Sequence, residues 1–384
     1  MNRLTIRRIN ELNVLREVFN QTPTSRAAVA KKLGLTKSTV YNIFTKLAND
    51  NLVYDIGQGN STRSGGRKPV LTNFNAQAGY TINTKINQTT ISCMTNWLDG
   101  SIVNYQEFPI DGKDASKQLL ALYQAVKLST VDNADLMGIS VAIYGVVKDN
   151  HIVKAMNHDL VQYDLVQILQ SRFNVPVLLE NEANLAALAI KDFSGTSIKD
   201  VVALSLSDQI GVGSIINGQL YSGKNSRAGE IGASKYYGLG NKSPLSLEEV
   251  GSDQAVFKQI QDLKQSSVVI ADIRRWYDLG DEIVQEVLKN FETSIIIILQ
   301  NIFLLFDPER VVINSRVLQA IPETMKFVEE RLSEVVDHEI NIEVSDSVGS
   351  NSLLGGCAMI TRRILELPDA NLQFKNRTMP TVSD

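Results

Sequence analysis

The sequence predicts an α+β protein built from two unlike parts, a small basic head over residues 1–75 and a larger α/β domain over residues 76–384. Three observations support this prediction. The chain has 384 residues, more than one domain usually contains. Hydrophobic residues make up 43% of it, enough to form substantial cores. Near Gly79 the spacing of apolar residues changes from helical to the alternation of strands.

Charge separates the same two parts. Residues 1–70 hold twelve Lys and Arg against four Asp and Glu, a net charge of about +8. Because the whole chain carries −4, the remainder carries about −12. An acidic body with a basic head indicates that only the head meets a polyanion.

Composition also argues against several classes of protein. The most apolar run, Ser294–Phe306, contains Gln300 and Asn301 and predicts a buried helix rather than a membrane span. The first ten residues lack the apolar core of a signal peptide, so we expect a cytoplasmic protein. With only two cysteines, neither a disulfide framework nor a cysteine-based zinc cluster is expected.

The head contains three helix signals. In the first, apolar residues recur at helical spacing at Ile9, Leu12, Leu15, Val18 and Phe19. Ser25 stands where an N-cap belongs, before a second helix at Arg26–Leu33. Gly34 and Leu35 form a turn, and Thr36 caps a third helix over residues 37–49. Two strands, 52–56 and 70–74, then flank a glycine-rich basic loop.

This pattern predicts a winged helix-turn-helix that binds double-stranded DNA. The third helix would enter the major groove with its polar face, and the basic loop would contact phosphates or the minor groove. The predicted DNA-binding residues are Arg26, Lys37, Ser38, Thr39, Tyr41, Asn42, Lys46, Arg63, Arg67 and Lys68. The alternative is a small helical packing domain with an idle loop.

From residue 79 onward, strands and helices alternate. Strands are predicted at 80–86, 90–97, 101–108, 136–141, 175–179, 201–206, 213–216 and 310–314. Helices are predicted at 116–128, 165–173, 182–193 and 280–306. Three strands followed by alternating helices and strands, repeated in two halves, predict an α/β domain with a cleft between two lobes.

Several motifs resemble those of the ROK family (repressors, open reading frames and sugar kinases), particularly its xylose-repressor branch. In the body these are LLENEANLAALA (178–189), GVGSIINGQLYSG (211–223) and RAGEIG (227–232). In the head they are SRAAVAKKLGLTKSTV and the wing SGGRKP. The resemblance implies an actin-like, sugar-kinase-like fold with two lobes over residues 79–365.

The resemblance also implies sugar-binding residues, namely Asn157, Asn181, Glu182, Glu230 and Glu248. Asn and Glu side chains suit a polyol because each forms directional hydrogen bonds to hydroxyls. In the family's kinases an Asp follows the first Asn of this motif and serves as the base. Glu182 stands there instead, and its longer side chain displaces the basic oxygen from the position that catalysis needs. The alternative is that these are ordinary surface residues.

Other departures concern ATP and zinc. The family's first phosphate loop has an acidic residue and glycine, but this chain has INTKINQTT (82–90). The second loop is SDQ (207–209) in place of Gly-Thr-Gly, and INSR (313–316) replaces a glycine-rich turn near the adenosine. The segment 238–249 lacks the family's zinc-binding cysteines, and Ala233 replaces its His. We therefore expect ligand binding without catalysis and without cofactor or metal.

Together these features favour a homodimeric repressor of a sugar-utilisation operon. A monosaccharide effector, with xylose as the first candidate, would release the protein from a palindromic operator. Two alternatives stay open, an active ATP-dependent sugar kinase and a DNA-binding dimer that responds to no ligand. The polar tail after Pro368 is expected to be loosely ordered.

Overall fold

Three helices and a small sheet form the N-terminal part of the chain. They are seen in a computed structural model that describes residues 3–59, 68–112, 114–195, 198–236, 244–346, 349–368 and 370–375. The helices are α1 (Arg3–Asn20), α2 (Arg26–Leu33) and α3 (Lys37–Asn49). The antiparallel sheet has the order β1-β3-β2, with β1 (Thr24–Ser25), β2 (Val53–Gln58) and β3 (Val70–Phe74).

The helix ends lie where the capping signals predict them. The Ser25 hydroxyl accepts a hydrogen bond from the Ala28 amide at the start of α2. Gly34 ends that helix in the left-handed conformation, at φ 64°, which glycine adopts without a steric penalty. Thr36 accepts from the Thr39 amide and starts α3. These caps fix a short turn between α2 and α3 and so fix the angle between the two helices.

The first lobe of the body is a mixed sheet with helices on it. Its strands lie in the order β10-β7-β4-β5-β6, and a hairpin of β8 and β9 projects beside it. Its elements are β4 (Tyr80–Ile86), β5 (Thr90–Trp97), β6 (Ile102–Pro109), α4 (Ala115–Leu128), β7 (Leu136–Ile143), β8 (Gly145–Lys148), β9 (His151–Ala155), α5 (Leu165–Phe173) and β10 (Val177–Asn181).

The second lobe follows α6 (Glu182–Phe193) and has a sheet in the order β13-β12-β11-β16-β17. Its elements are β11 (Val201–Ser205), β12 (Gly211–Ile216), β13 (Gln219–Leu220), β14 (Lys235–Tyr236), β15 (Leu245–Ser246), α7 (Leu247–Gly251), α8 (Asp253–Lys264), α9 (Ile270–Asp278), α10 (Glu282–Phe306), β16 (Arg310–Asn314), α11 (Arg316–Ala320), α12 (Glu323–Ser333) and β17 (Ile342–Val344). The chain then returns to the first lobe through α13 (Asn351–Ile364).

The two main sheets share one topology. In each, the first three strands in chain order pair antiparallel, the fourth pairs in parallel with the first, and the fifth pairs in parallel with the fourth. The predicted repetition in two halves is therefore confirmed. The carboxyl ends of the parallel strands are where open α/β sheets bind ligands, so this topology directs attention to the crevice between the lobes.

The most apolar stretch of the sequence lies in α10. This helix is long and apolar enough to cross a membrane by length and composition, yet half of its most apolar window is buried inside the protein. Phe291, Ile295 and Leu299 pack in the core of the second lobe. The prediction of a buried helix there is confirmed.

Some elements differ from the prediction or were absent from it. The β8–β9 hairpin, α7 to α9, α12 and α13 were not predicted. The tail was expected to be loosely ordered, but this is wrong for residues 370–375, because Leu372 and Phe374 are buried. One apolar cluster joins Phe19 of the head to Phe193 and Phe374 of the body, so the division at residues 75 and 76 stays a prediction.

Candidate functional site

The outer face of α3 carries polar side chains free of the core. Val40, Ile43, Phe44 and Leu47 are buried on the inner face, because α3 packs against α1 and α2. On the opposite face Lys37, Ser38, Tyr41 and Asn42 are exposed, with Tyr41 60% accessible, and Thr39 is half-buried. Five of the predicted residues thus lie together along one side of the helix, at the spacing that presents them to a groove.

Arg26 lies beside this face but is already engaged. Its guanidinium stacks 5.8 Å from the Tyr41 ring centroid and 5.5 Å from that of Phe44. It also forms an ion pair with Asp55 of β2, at 3.1 Å. Arg26 therefore orients Tyr41 and ties α2 to the wing strand.

The structure separates Lys46 from the other predicted DNA-binding residues. Its ammonium lies 2.6 Å from the Glu11 carboxylate, on the side of α3 that faces the body. Lys46 follows Asn42 by about one helical turn, so periodicity alone does not separate them; the contact with Glu11 of α1 turns the Lys46 side chain away. Lys68 is exposed at the base of the wing, and Arg63 and Arg67 lie outside the described residues.

In the body, Asn181 and Glu182 begin α6 at the crevice between the lobes. The side-chain oxygen of Asn181, Oδ1, caps the helix by accepting hydrogen bonds from the backbone amides of Ala183 and Asn184. Its side-chain amide donates to the Gly145 carbonyl at 2.6 Å. Glu182 is 4% exposed, and its Oε2 has no hydrogen-bond partner within the described part of the chain. A buried carboxylate oxygen without a protein partner is costly, so Glu182 has a free acceptor at this point of the crevice.

Two further groups converge on Glu182, although sequence reasoning missed them. Lys85, at the end of β4, donates to the Gly349 carbonyl at 2.8 Å. Burial lowers the pKa of Lys85, and the carboxylates of Glu182 and Asp208 partly offset that effect. Tyr144 hydrogen-bonds Ser207 of the other lobe at 3.1 Å, and burial raises its pKa well above the ordinary value.

Glu230 and Glu248 belong to the second lobe and lie on the other side of the crevice. Lys154 of β9 reaches across the lobes to Glu230, with 3.0 Å between ammonium and carboxylate. Glu248 accepts from the Ile210 amide and the Gln209 side chain, both at 3.4 Å. Burial raises the pKa of Glu248, and the negative charge of Glu230 adds to that rise. The two carboxylates are therefore neighbours, as predicted, but Lys154 already neutralises one of them.

Asn157 lines a cavity of about 330 Å³ in the first lobe. Its side-chain oxygen accepts from the Asp159 amide, and its amide donates to Gln118 of α4 at 2.9 Å. Tyr144 and the turn at residues 87–89 also line the cavity. Among the described residues that form its wall there is no Asp, Glu, Lys or Arg, although His158 lines it, and amide and hydroxyl groups supply most of its polar contacts.

The predicted sugar-binding residues do not all meet in one cavity. Glu248 lines a second one of about 580 Å³, beside Asp208 and Gln254. Asn157, Asn181 and Glu230 are linked through the β8–β9 hairpin, because Asn181 bonds Gly145 and Lys154 bonds Glu230. The hairpin thus forms the floor that joins the two sides of the crevice.

The segments that differ from the phosphate and adenosine loops of the family's kinases form contacts within the chain. Asn87 in the first loop bonds Thr90 and Ser92. In the second loop Ser207 bonds Tyr144, and Asp208 adds a negative charge that repels phosphate. Arg316 stacks on Phe257, and its amide donates to the buried Asp253. Within the described segments no three His, Cys, Asp or Glu side chains converge as metal ligands do.

Comparison with known proteins gives a consistent result. The sequence profile of the ROK family matches residues 82–363. The xylose repressor of Lactiplantibacillus pentosus is 30% identical over 380 residues, covering 98% of both chains.

Solved structures with the same fold include both regulators and kinases. A ROK family transcriptional regulator, a homologue of the E. coli MLC protein, superposes with a TM-score of 0.77 at 18% identity, covering 94% of this chain and 98% of its own. A ROK family glucokinase from Streptomyces griseus, in complex with glucose and AMPPNP, gives a TM-score of 0.63 at 21% identity. It covers 73% of this chain and 99% of its own.

Proposed function

The chain belongs to the ROK family, and from this premise we propose that it is a sugar-responsive transcriptional repressor. Its head would bind operator DNA as a winged helix-turn-helix, and its body would bind the effector in the crevice between the lobes. The observation that carries the proposal is the exposed polar face of α3, on a basic head joined to a kinase-like body.

The DNA-binding role rests on the arrangement of α2 and α3. The turn capped by Gly34 and Thr36 holds α3 with Lys37, Ser38, Tyr41 and Asn42 outward. Hydroxyl, amide and ammonium groups of this kind pair with base edges and phosphates. Lys68 would extend the contact along the wing, together with Arg63 and Arg67.

The effector is proposed to be a neutral monosaccharide, with xylose first. The cavity beside Asn157 has a volume within the ordinary range of ligand pockets, roughly 300 to 1,000 Å³. Amide and hydroxyl side chains in its wall favour a sugar, and the absence of Lys and Arg from the described wall disfavours a sugar phosphate, for which His158 would be the one cation there. The relative from L. pentosus bears the name xylose repressor, which gives this sugar priority.

We expect the body to bind its ligand without phosphorylating it. Lys85, Asp208 and Arg316 stand on the nucleotide side, where the opposite charges of neighbouring side chains already interact. Glu182 keeps a carboxylate for a sugar hydroxyl. Because phosphoryl transfer depends on positioning of phosphates and metal, a site filled in this way supports binding alone.

The assembly is proposed to be a cytoplasmic homodimer on a palindromic operator. A two-fold pair of heads would place two α3 helices in successive major grooves. Sugar binding that favours one arrangement of the lobes would then weaken DNA binding, provided that the operator favours the other.

Fluorescence anisotropy tests the proposal directly. The purified full chain is titrated onto labelled DNA from upstream of its own coding region, with and without millimolar xylose. Specific binding that xylose releases is expected. Specific binding that ignores xylose would move the effector to other sugars. The absence of specific binding, with turnover of ATP and a sugar, would replace the repressor by the kinase.

A further inference from the structure

The C-terminal residues 370–375 form a strap between head and body. Its Phe374 ring lies 5.1 Å from Phe19 of α1 and 5.2 Å from Phe193 of α6, measured between centroids. Phe374 is 6% exposed and Leu372 is fully buried. One aromatic side chain therefore contacts the last turns of two helices that belong to different parts of the protein.

Hydrogen bonds hold the strap on both sides. On the head side, the Asn20 side chain donates to the Asn371 carbonyl and accepts from the Gln373 amide, both at 2.9 Å. On the body side, the amide of Phe374 donates to the Asp192 carbonyl at 3.0 Å. The amide of Lys375 donates to the Asp99 carbonyl at 2.8 Å. Because the strap is hydrogen-bonded to both the head and the body, it connects the two parts of the protein.

A buried ion pair fixes the strap to α6. Arg362 of α13 binds both carboxylate oxygens of Asp192 at 2.7 Å, and its Nε donates to the Ala370 carbonyl at 3.0 Å. The two-pronged geometry defines the position of the guanidinium closely. The strap, α13 and the last turn of α6 therefore move together.

Helix α6 connects this point to the ligand crevice. Its first turn holds Asn181 and Glu182, and its last turn holds Asp192 and Phe193. A Cβ on Gly213 of β12 would come within 2.0 Å of the Ala183 carbonyl, and one on Gly355 of α13 within 1.8 Å of the Leu185 carbonyl. Backbones in such close contact on two sides hold α6 against β12 and α13, so any displacement of α6 must carry these neighbours with it.

The opposite edge of the head is held more weakly. There a cavity of about 260 Å³ lies between the head and α13, lined by Leu12, Ile43, Met137 and Ile364. An ion pair of Arg8 with Glu366 closes its rim, and both side chains are largely exposed. Because exposed ion pairs contribute little and a void lacks packing contacts, this edge opens at low cost.

We propose that the strap is the fulcrum on which ligand binding moves the head. A ligand on Glu182 displaces α6, the strap carries that displacement to the end of α1, and the head rotates by opening or closing its edge at Arg8. The inference rests on the proposed function for its ligand, but the tight and weak edges are features of the structure itself.

The first test is Phe374→Ala in the full chain, followed by hydrogen exchange. Without sugar or DNA, amides of the last two turns of α1 should exchange at least about tenfold faster, while those of α6 near Glu182 stay protected. The control Arg8→Ala, on the weak edge, should leave α1 unchanged. Equal exchange in wild type and Phe374→Ala would overturn the proposal, whatever the effector is.

The second test joins each edge chemically. A short bis-maleimide bridges Asn20→Cys with Asn371→Cys at the strap, or Arg8→Cys with Glu366→Cys at the weak edge. The native Cys93 and Cys357 are spared, because burial raises the pKa of each to about 12. Operator affinity is then compared with and without sugar, alongside calorimetric sugar binding.

The two bridges should behave differently. The ratio of operator Kd with and without sugar, roughly 5 to 150 for couplings of this kind, should survive the bridge at the strap and fall towards one with the bridge at Arg8. Sugar affinity should remain in both. Loss of the response with the strap bridge, or its survival with the other, would refute the fulcrum. If sugar did not change the operator affinity of the wild type, the proposed function would be refuted instead. The hydrogen-exchange test would still show whether the strap holds the end of α1.

Discussion

Glu182 and Lys85 are buried charges at the base of the crevice. Burying a charge is costly unless it is paired or hydrogen-bonded. The Lys85 ammonium donates one hydrogen bond to the Gly349 carbonyl. The negative charge of Glu182 stabilises the protonated form of Lys85. Glu182 nevertheless keeps one oxygen without a partner among the described residues. From this asymmetry we expect Lys85 to support the site and Glu182 to contact the ligand.

The change Glu182→Gln tests this division of roles. The amide keeps the size of the side chain but lacks the charge that strengthens a bond from a sugar hydroxyl. Sugar affinity should fall by about 10- to 100-fold, because hydrogen bonds to charged groups contribute roughly 1.5 to 3 kcal/mol. Calorimetry measures the sugar affinity of each variant. Glu329→Gln, on the exposed side of α12, is the control and should leave that affinity unchanged. An unchanged affinity would remove Glu182 from the ligand site.

Asp253 supplies a prediction about pH. Burial raises its pKa from 3.8 to about 6, although Ser315 and the Arg316 amide donate to it. Between about pH 4 and 6 the folded protein holds a proton that the unfolded chain has lost. The free energy of unfolding should therefore decrease as pH rises through this window, by at most about 1.4 kcal/mol per pH unit from this group.

The matched variant for that prediction is Asp253→Asn. Its amide oxygen can accept from Arg316 and its NH₂ can donate to Ser315, so the local contacts persist without a titrating proton. Urea unfolding at several pH values should give a flatter dependence for the variant than for wild type. Parallel curves for the two proteins would show that Asp253 does not titrate in this range.

At the residue scale, the motif around Asn181 predicted two groups, Asn181 and Glu182, that lie at the start of α6. Lys85, Tyr144 and Lys154 were missed because their roles depend on contacts between distant parts of the chain. Lys154, for example, pairs with Glu230, 76 residues later. No periodicity in the sequence brings β9 to the segment after β12, and only the closure of two lobes does so.

At the scale of an element, we expect the exposed face of α3 to determine DNA binding. The double change Lys37→Ala with Asn42→Ala should lower operator affinity by about tenfold or more. It should also reduce the slope of log K against log salt by roughly one, since one phosphate contact is lost. Anisotropy titrations at four salt concentrations measure both effects.

Lys46→Ala is the matched control for this prediction. It removes an equal charge from the same helix, but from the side where Glu11 holds the ammonium at 2.6 Å. The salt slope should be unchanged. If Lys46→Ala reduced the slope as much as the double variant, α3 would be oriented differently on DNA.

Helix α13 shows why some elements escaped prediction. Gly355 and Gly356 lie in its interior, where glycine is unfavourable by roughly 1 kcal/mol each relative to alanine. The fold needs them because a Cβ on Gly355 would strike α6 and one on Gly356 would meet Ser140. Capping and periodicity predicted the head and α10 because those helices follow local rules, whereas α13 obeys a packing constraint that a single sequence does not reveal.

For the whole molecule, two lobes of one topology enclose a crevice, and the helices α6 and α13 cross between them. Tyr144 with Ser207 and Lys154 with Glu230 bridge that crevice. The Lys154–Glu230 pair is partly exposed, so it contributes little and can exchange for a ligand at small cost. The energy that moves the head must therefore come from the difference in ligand affinity between lobe arrangements.

This dependence leads to a quantitative prediction for sugar and operator. If sugar weakens operator binding by some factor, saturating operator must weaken sugar binding by the same factor, because both describe one coupling free energy. Calorimetry of sugar binding to the free protein and to its operator complex gives the second factor, and anisotropy gives the first. DNA of scrambled sequence, at a concentration where it does not bind, should leave sugar affinity unchanged. Agreement within about twofold is expected whatever movement couples the sites, provided that both measurements start from the same assembly state. Unequal factors would mean that another step, such as dissociation of a dimer, intervenes between the crevice and α3.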